Sequence, residues 1–247
     1  MIIGSWRLEV HDHLPSTNDL LRQRAAAGEK PGVAVMARRQ TKGRGSHGRD
    51  WLSPAGNLYL SVLLRPQGRV RDSGLWSLLA AVALADTVET LLPDPALLRL
   101  KWPNDLLLDG IKLAGILLDS TVDTAGRFTS LVIGFGLNLA TAPMLTGRLA
   151  ACIADVAKAP RPDAVAPMLL ERLDHWCAVQ ADEGFAAIRT AWLARAQRIG
   201  APMTLHQGTR DLGGRFAGLG EDGSLLLDTD GHRQAFAAGE VRLQAGA

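Results

Sequence analysis

Residues 38–49 read RRQTKGRGSHGR: five cations and three glycines, with no carboxylate before Asp50. This segment narrows the possible folds because it fits none of three common nucleotide architectures. Gly43-x-Gly45-x-x-Gly48 satisfies the dinucleotide fingerprint, but that motif must open a helix. The residues that follow, Trp51 to Asn57, include Pro54 and Gly56, which oppose one. A phosphate loop of the G-x-x-x-x-G-K-[ST] type would need a lysine and a hydroxyl where Arg49 and Asp50 stand, and Asp50 would set a carboxylate against the phosphates. A protein kinase would carry His-Arg-Asp and Asp-Phe-Gly, and the chain has neither. What remains is a loop whose glycines let consecutive N–H groups form an anion-binding concavity, with guanidinium donors beside it. Such a loop suits a nucleotide; the plainer alternative is a solvated basic turn.

The net charge is only +2, so the basic loop is a local concentration and not part of a cationic face. That argues against a nucleic-acid-binding domain. A chain of 247 residues with 47% hydrophobic content makes one large domain, or one domain with a small appendage. Lysine is scarce: Lys30, Lys42, Lys101, Lys112 and Lys158 are the only ones. Cys152 and Cys177 have no metal-ligand spacing and cannot make a disulfide framework, which fits reduced thiols in the cytoplasm. No signal peptide is expected at the amino terminus, and no apolar run reaches the ~18 residues of a membrane span.

Ser16 to Asp19 caps a predicted helix that ends at Gly28, and Val33 to Ala37 forms a buried strand entering the basic loop. Asn57 to Leu64 gives a second strand, residues 73–92 a long apolar helix stopped by Pro93 and Pro95, and Leu97 to Lys101 a short strand. Asp109-Gly110 between Leu106–Leu108 and Ala114–Leu118 is a hairpin signal. Phe128 to Leu139 closes this strand-rich middle, and residues 162–198 read as helix, with Trp176 and Leu193 as core candidates. Beyond Gly200 the expectation is a small all-β barrel of about 45 residues, its strands broken at Gly213-Gly214, Asp222-Gly223 and Asp230-Gly231.

Three further segments carry chemistry. Lys101-Trp102-Pro103-Asn104-Asp105 places an amide and a carboxylate at a strand end, either as oxygen ligands for Mg²⁺ or as an Asx turn entering the hairpin. Lys112 follows that hairpin turn; it would stabilise developing negative charge in a partly desolvated site, or simply face solvent. Gly134-Phe135-Gly136-Leu137-Asn138 is a glycine-interrupted strand, open to a ligand or packed against the Trp102 corner.

Taken in order, Ser16-Thr17-Asn18, Gln40-x-x-Gly43-Arg44-Gly45-x-x-Gly48-Arg49-x-Trp51, Lys101 to Asp105, Lys112-Leu113-Ala114-Gly115-Ile116-Leu117 and Gly134-x-Gly136-x-Asn138 resemble the biotin–protein ligases. The resemblance spans residues 10 to 140 and reaches loosely to Gly239-Glu240-Val241. It implies an α/β (α+β) architecture: a class II aminoacyl-tRNA-synthetase-like catalytic domain over residues 1–199, with a mixed sheet and packed helices, then an SH3-like β-barrel over 200–247. The implied reaction joins biotin to ATP as biotinyl-5′-AMP, then passes the acyl group to a lysine of a biotin carboxyl carrier protein or a carboxylase carrier domain.

By the same resemblance, Ser16, Thr17, Asn18, Gln40, Gly43, Arg44, Gly45, Ser46, Lys112 and Gly115 would hold biotin. Arg44, Ser46, His47, Arg49, Trp51, Asn104, Lys112 and Asn138 would hold ATP. Lys112, Arg44 and Asp105 would be catalytic, with Asp105 also a Mg²⁺ ligand. The family usually has arginine where Ser46 stands, so a weaker hold on biotinyl-5′-AMP is expected, with His47 and Arg49 left to compensate. About 15 residues precede the Ser16 motif, too few for a helix-turn-helix, so no DNA partner is expected. No membrane partner is expected either, while a homodimer through a sheet edge stays open. The rivals are a lipoate–protein ligase, which shares the fold, and a non-catalytic ligand-sensing or nucleic-acid module.

Overall fold

The computed structural model describes residues 1–143 and 149–243. Its larger sheet has eight strands: β1 (Ile2–Ile3), β2 (Trp6–Leu14), β3 (Val33–Gln40), β4 (Leu58–Leu64), β5 (Leu98–Lys101), β6 (Asp105–Leu108), β7 (Ile111–Val122) and β8 (Phe128–Leu137). Their order is β1-β2-β3-β4-β8-β7-β6-β5. Only β2 and β3 are parallel, and helix α1 (Thr17–Ala26) is the crossover such a pair requires. Strand β2 was not anticipated, although its alternation was legible: Trp6 and Leu8 are buried while Arg7 is exposed. Ser16 caps α1 as expected, its Oγ accepting from the Asp19 N–H at 3.3 Å.

Side chains on successive strand residues point to opposite faces, and this sorts the sheet into two environments. Leu58, Leu60 and Val62 of β4, Ala114 and Ile116 of β7, and Leu131, Ile133, Phe135 and Leu137 of β8 join the main core. That core packs under α2 (Ser73–Glu89), α3 (Pro162–Glu183) and α4 (Phe185–Leu193). Helix α2 is buried almost all round, as a helix apolar on every face must be. Val33 and Val35 of β3, Leu63 of β4 and Val132 of β8 face the other way, where Leu21 and Ala25 of α1 cover them.

Two expectations for the helical region need correction. The helix foreseen over residues 162–198 is broken at Gly184, whose φ of +73° is left-handed backbone, and it ends at Leu193. Trp176 and Leu193 pack only partly buried; the central residues are Leu169, Leu170, Leu173, Ile188 and Trp192. Trp176 lies at the margin because its Nε1 donates to Asp86 at 2.8 Å.

The C-terminal barrel is one five-stranded antiparallel sheet of β9 (Pro202–Gln207), β10 (Arg210–Leu219), β11 (Leu225–Thr229), β12 (His232–Phe236) and β13 (Glu240–Leu243), in the order β12-β11-β10-β9-β13. Gly213-Gly214 does not break it; the pair lies inside β10, where a Cβ on Gly214 would come within 2.8 Å of Thr229 Cγ2. Asp222-Gly223 and Asp230-Gly231 do sit at turns.

Asn57 locks the start of β4 to the chain leaving β8. It is fully buried, and its Oδ1 accepts from the N–H groups of Leu139, Ala140 and Thr141 at 2.9, 3.0 and 3.1 Å. Asn57→Ala strands those donors, so it is expected to cost about 3 kcal/mol and lower Tm by roughly 6–12 °C. A melting curve shifted by less than about 2 °C would show that the amide is dispensable.

Candidate active site

The pocket opens where α1 begins and β3 ends, because the parallel β2–β3 pair brings both to the same edge. Thr17 donates from its N–H to Gln40 Oε1 at 2.8 Å and from its hydroxyl at 3.2 Å. Gln40 Nε2 then donates to Ser53 Oγ at 3.0 Å, and Ser53 Oγ to the Trp51 carbonyl at 2.8 Å. Behind these, buried Ser61 of β4 lies 2.7 Å from Thr17 Oγ1 and 2.6 Å from Asn18 Oδ1. Asn18 Nδ2 donates to Asp119 Oδ2 at 3.0 Å.

The floor is the face of β4, β8 and β7 turned from the main core. There Tyr59, Gly136 and Gly115 lie side by side in register, as do Ser61, Gly134 and Leu117. Glycine is required on this floor. A Cβ on Gly134 would lie 1.9 Å from Asn18 Oδ1, and one on Gly136 would lie 2.5 Å from Trp51 Cε2. The Trp51 indole rests on Gly136 and Gly115, and its Nε1 is buried with no hydrogen-bond partner among the described residues.

The basic loop crosses above. Gly45 N–H donates to the Arg49 carbonyl at 2.7 Å, and Trp51 N–H to the Gly43 carbonyl at 2.9 Å. His47 takes a left-handed φ of 57° between these contacts. Arg44 pins the loop down: its Nη1 lies 2.6 Å from Asp19 Oδ1, and the guanidinium reaches both Asp119 oxygens at 3.4 Å. Arg49 turns away from the floor, pairing with Glu240 of β13 at 2.8 Å and donating to Ser46 Oγ and its carbonyl at 3.0 and 3.1 Å.

On the far side stands an ion triad. Asp105, at the start of β6, is buried and takes Lys112 Nζ on Oδ1 at 2.5 Å and Lys101 Nζ on Oδ2 at 2.8 Å. Burial, the largest single influence, pushes its pKa up, but Lys112 and then Lys101 outweigh it and hold the carboxyl below the usual range. Lys112 reaches this position from a break in register between β6 and β7, where a bulge re-aims the strand. Its ammonium lies 5.6 Å from the Trp51 ring centroid, within cation–π range.

Ser16, Thr17, Asn18, Gln40, Arg44, Gly45, Ser46, Trp51, Asn104, Lys112 and Gly115 all line one inner cavity of about 50 Å³. An adjoining cleft of about 570 Å³ is lined by Gly45, Ser46, Arg49, Trp51, Asp105, Lys112 and Asn138, with Lys101, Glu240 and Arg242. Two expected residues, Gly43 and His47, sit otherwise. Gly43 lines neither space, but a Cβ there would strike the Trp51 carbonyl at 2.3 Å. His47 borders a separate crevice with Trp102 to Asp105 and Gly239 to Val241. Asn138 is buried, its amide donating to the Ala151 carbonyl at 3.0 Å, and Asn104 Nδ2 donates to the Ile116 carbonyl at 2.6 Å. Asp19, Ser61 and Asp119 were not foreseen. A lone serine within LYLSVLL was the available signal for Ser61, and a carboxylate ending GILLD for Asp119.

The family model for the biotin/lipoate A/B protein ligase family matches residues 10–138, and that for the biotin protein ligase C-terminal domain matches residues 199–243. A biotin–[acetyl-CoA-carboxylase] ligase of Paracoccus denitrificans is 38% identical over 87% of this chain and 92% of its own. The bifunctional ligase/repressor BirA of Escherichia coli is 34% identical over 94% of this chain and 72% of its own. The structure of the Aquifex aeolicus biotin protein ligase in complex with biotin and ATP superposes with a TM-score of 0.79 at 26% identity, covering 96% of this chain and 98% of that one. With the glycine floor, the basic loop and the ion triad in one place, and a family model matched over more than half its length, the chain belongs to the biotin/lipoate A/B protein ligase family.

Proposed function

We propose that the protein is an ATP-dependent ligase that activates biotin as biotinyl-5′-AMP and transfers it to a lysine of a biotin carboxyl carrier protein or carrier domain. One observation carries this reading: Lys112 borders both the inner cavity and the larger cleft, where a carboxylate held in one would meet a phosphate held in the other. In step one, a biotin carboxylate oxygen attacks the α-phosphorus and pyrophosphate leaves. In step two, the carrier lysine's amine attacks the acyl carbon, AMP leaves and the amine loses a proton.

The chain's own groups supply the positioning. The hydroxyl and amide cluster of Ser16, Thr17, Asn18, Gln40 and Ser61 matches a polar, uncharged head group such as a ureido ring. The glycine floor and Trp51 give a flat apolar surface for the bicyclic body. Both reactants are anions, so Lys112 and the loop N–H of Ser46 offset their repulsion. Arg44, engaged by Asp19 and Asp119, acts mainly by holding the loop closed. The nucleotide then occupies the larger cleft, with Arg49, Asn138 and the Lys112 ammonium along it.

As placed, Asp105 does not suit Mg²⁺, since each of its oxygens already faces an ammonium. Among the described residues no group of three or more His, Cys, Asp or Glu is arranged to hold a metal. We assign Asp105 to ordering the two lysines and derive no step through the metal. On the same reading, residues 1–199 form the catalytic domain and the rest from residue 200 the barrel domain, with Arg49–Glu240 joining them. The two free cysteines fit a cytoplasmic enzyme, and among the described residues no helix is long and apolar enough to cross a membrane. A second copy would pair along β2 beyond Leu8, where the amino-terminal residues no longer cover its edge.

Incubating a candidate carrier domain with the protein, ATP, Mg²⁺ and biotin is expected to give one biotin adduct on one lysine by mass spectrometry. Equal or better labelling with lipoate would favour the sister activity and defeat the biotin assignment. Lys112→Ala is expected to lower kcat/KM for biotin-dependent pyrophosphate release by about 10²–10³-fold; a loss under tenfold would remove Lys112 from the chemistry. Ser46→Arg is expected to slow dialysis of biotinyl-5′-AMP from the protein, and unchanged release would show that Ser46 does not weaken the hold.

A further inference from the structure

Lys101 has no place among the groups that meet biotin or the reacting atoms, yet it is the more deeply set of the two lysines on Asp105. Its side chain is 16% exposed, against 37% for Lys112. Its backbone pairs directly with Asp105 across the β5–β6 ladder, so the Lys101–Asp105 contact is built into the sheet. Lys112 instead comes from the bulged strand β7 and borders both spaces, whereas Lys101 borders the larger cleft but not the inner cavity.

This division poses an electrostatic problem. For Lys112 to serve a ligand anion, its ammonium must loosen its hold on Asp105. A buried carboxylate deprived of its only cation is strongly unfavourable, so a lone Asp105–Lys112 pair would hold Lys112 back. A second resident cation removes that obstacle. With one carboxylate and two ammoniums, the triad keeps a net charge of +1, and Asp105 stays paired while Lys112 moves.

We propose that Lys101 is the standing counter-ion of Asp105, a positioning residue that frees the Lys112 ammonium to pass to the reacting carboxylate and phosphate. The inference rests on the ligase reading and adds to it a residue that acts through Lys112 and Asp105. The neighbouring charges do not supply the same function. Arg49 is engaged by Glu240 and the Ser46 hydroxyl, while Lys101 and Lys112 hold the two Asp105 oxygens.

The test is pyrophosphate release with biotin and ATP. Wild-type release establishes the ligase reading, and its absence would overturn both that reading and the proposal. Lys101→Met is expected to lower kcat/KM by about tenfold or more, because Lys112 is then trapped on Asp105. Lys101→Arg, which keeps the charge, is expected to stay within about threefold of wild type. The decisive variant combines Lys101→Met with Asp105→Asn. Removing the stranded carboxylate should recover activity over Lys101→Met alone, which a lysine of purely structural value would not allow. A double variant no better than Lys101→Met, or a Lys101→Met enzyme as active as wild type, would overturn the proposal.

Discussion

Everything in this molecule depends on how β4, β8 and β7 divide their side chains between two faces. The face toward α2 is filled with leucine, isoleucine and phenylalanine, and it anchors the central sheet. The opposite face of the same residues is nearly bare where it meets the pocket, because Gly115, Gly134 and Gly136 have no Cβ to offer. One backbone therefore supplies a close-packed core and a flat floor at once. The floor is rigid because its strands are held from behind.

Above that floor the arrangement is electrostatic. Four cations at the pocket are paired: Arg44 with Asp19 and Asp119, Arg49 with Glu240, and Lys101 and Lys112 with Asp105. Such pairing keeps partly buried positive charge from being stranded and sets side-chain direction before a ligand arrives. The larger cleft draws its charges from five separate parts of the chain: the loop, β5, β6, β7 and β13. Their convergence explains why no single motif identifies the chemistry while their order along the sequence does.

Much of this was legible in the amino-acid sequence. Local patterns located α1 with its Ser16 cap, strands β3, β4 and β8, the Asp109-Gly110 hairpin and the helix α2. The family motifs located most of the pocket lining. What escaped were effects of tertiary partnership. Asp119 and Ser61 act only because α1 lies over their strands, a proximity no sequence window contains. Gly184 could not be told from a tolerated helix glycine, since its left-handed backbone appears only when α4 turns to pack. Gly213-Gly214 imitates a turn, yet it fills a place in β10 where Thr229 leaves no room for a larger residue. Arg49 lines the larger cleft as expected, but its tie to Glu240, 191 residues further on, was not foreseen.

That last separation has a temporal meaning during synthesis on the ribosome. The glycine-rich segment around residue 49 emerges early, but the carboxylate that ties it down is translated only near the far end of the chain. At ordinary elongation speeds the interval is about 10–40 s, and through its later part every strand of the larger sheet has been made while Arg49 still lacks its partner on β13. Arg44 can pin its side of the loop as soon as Asp119 is made, whereas the Arg49 side waits for β13.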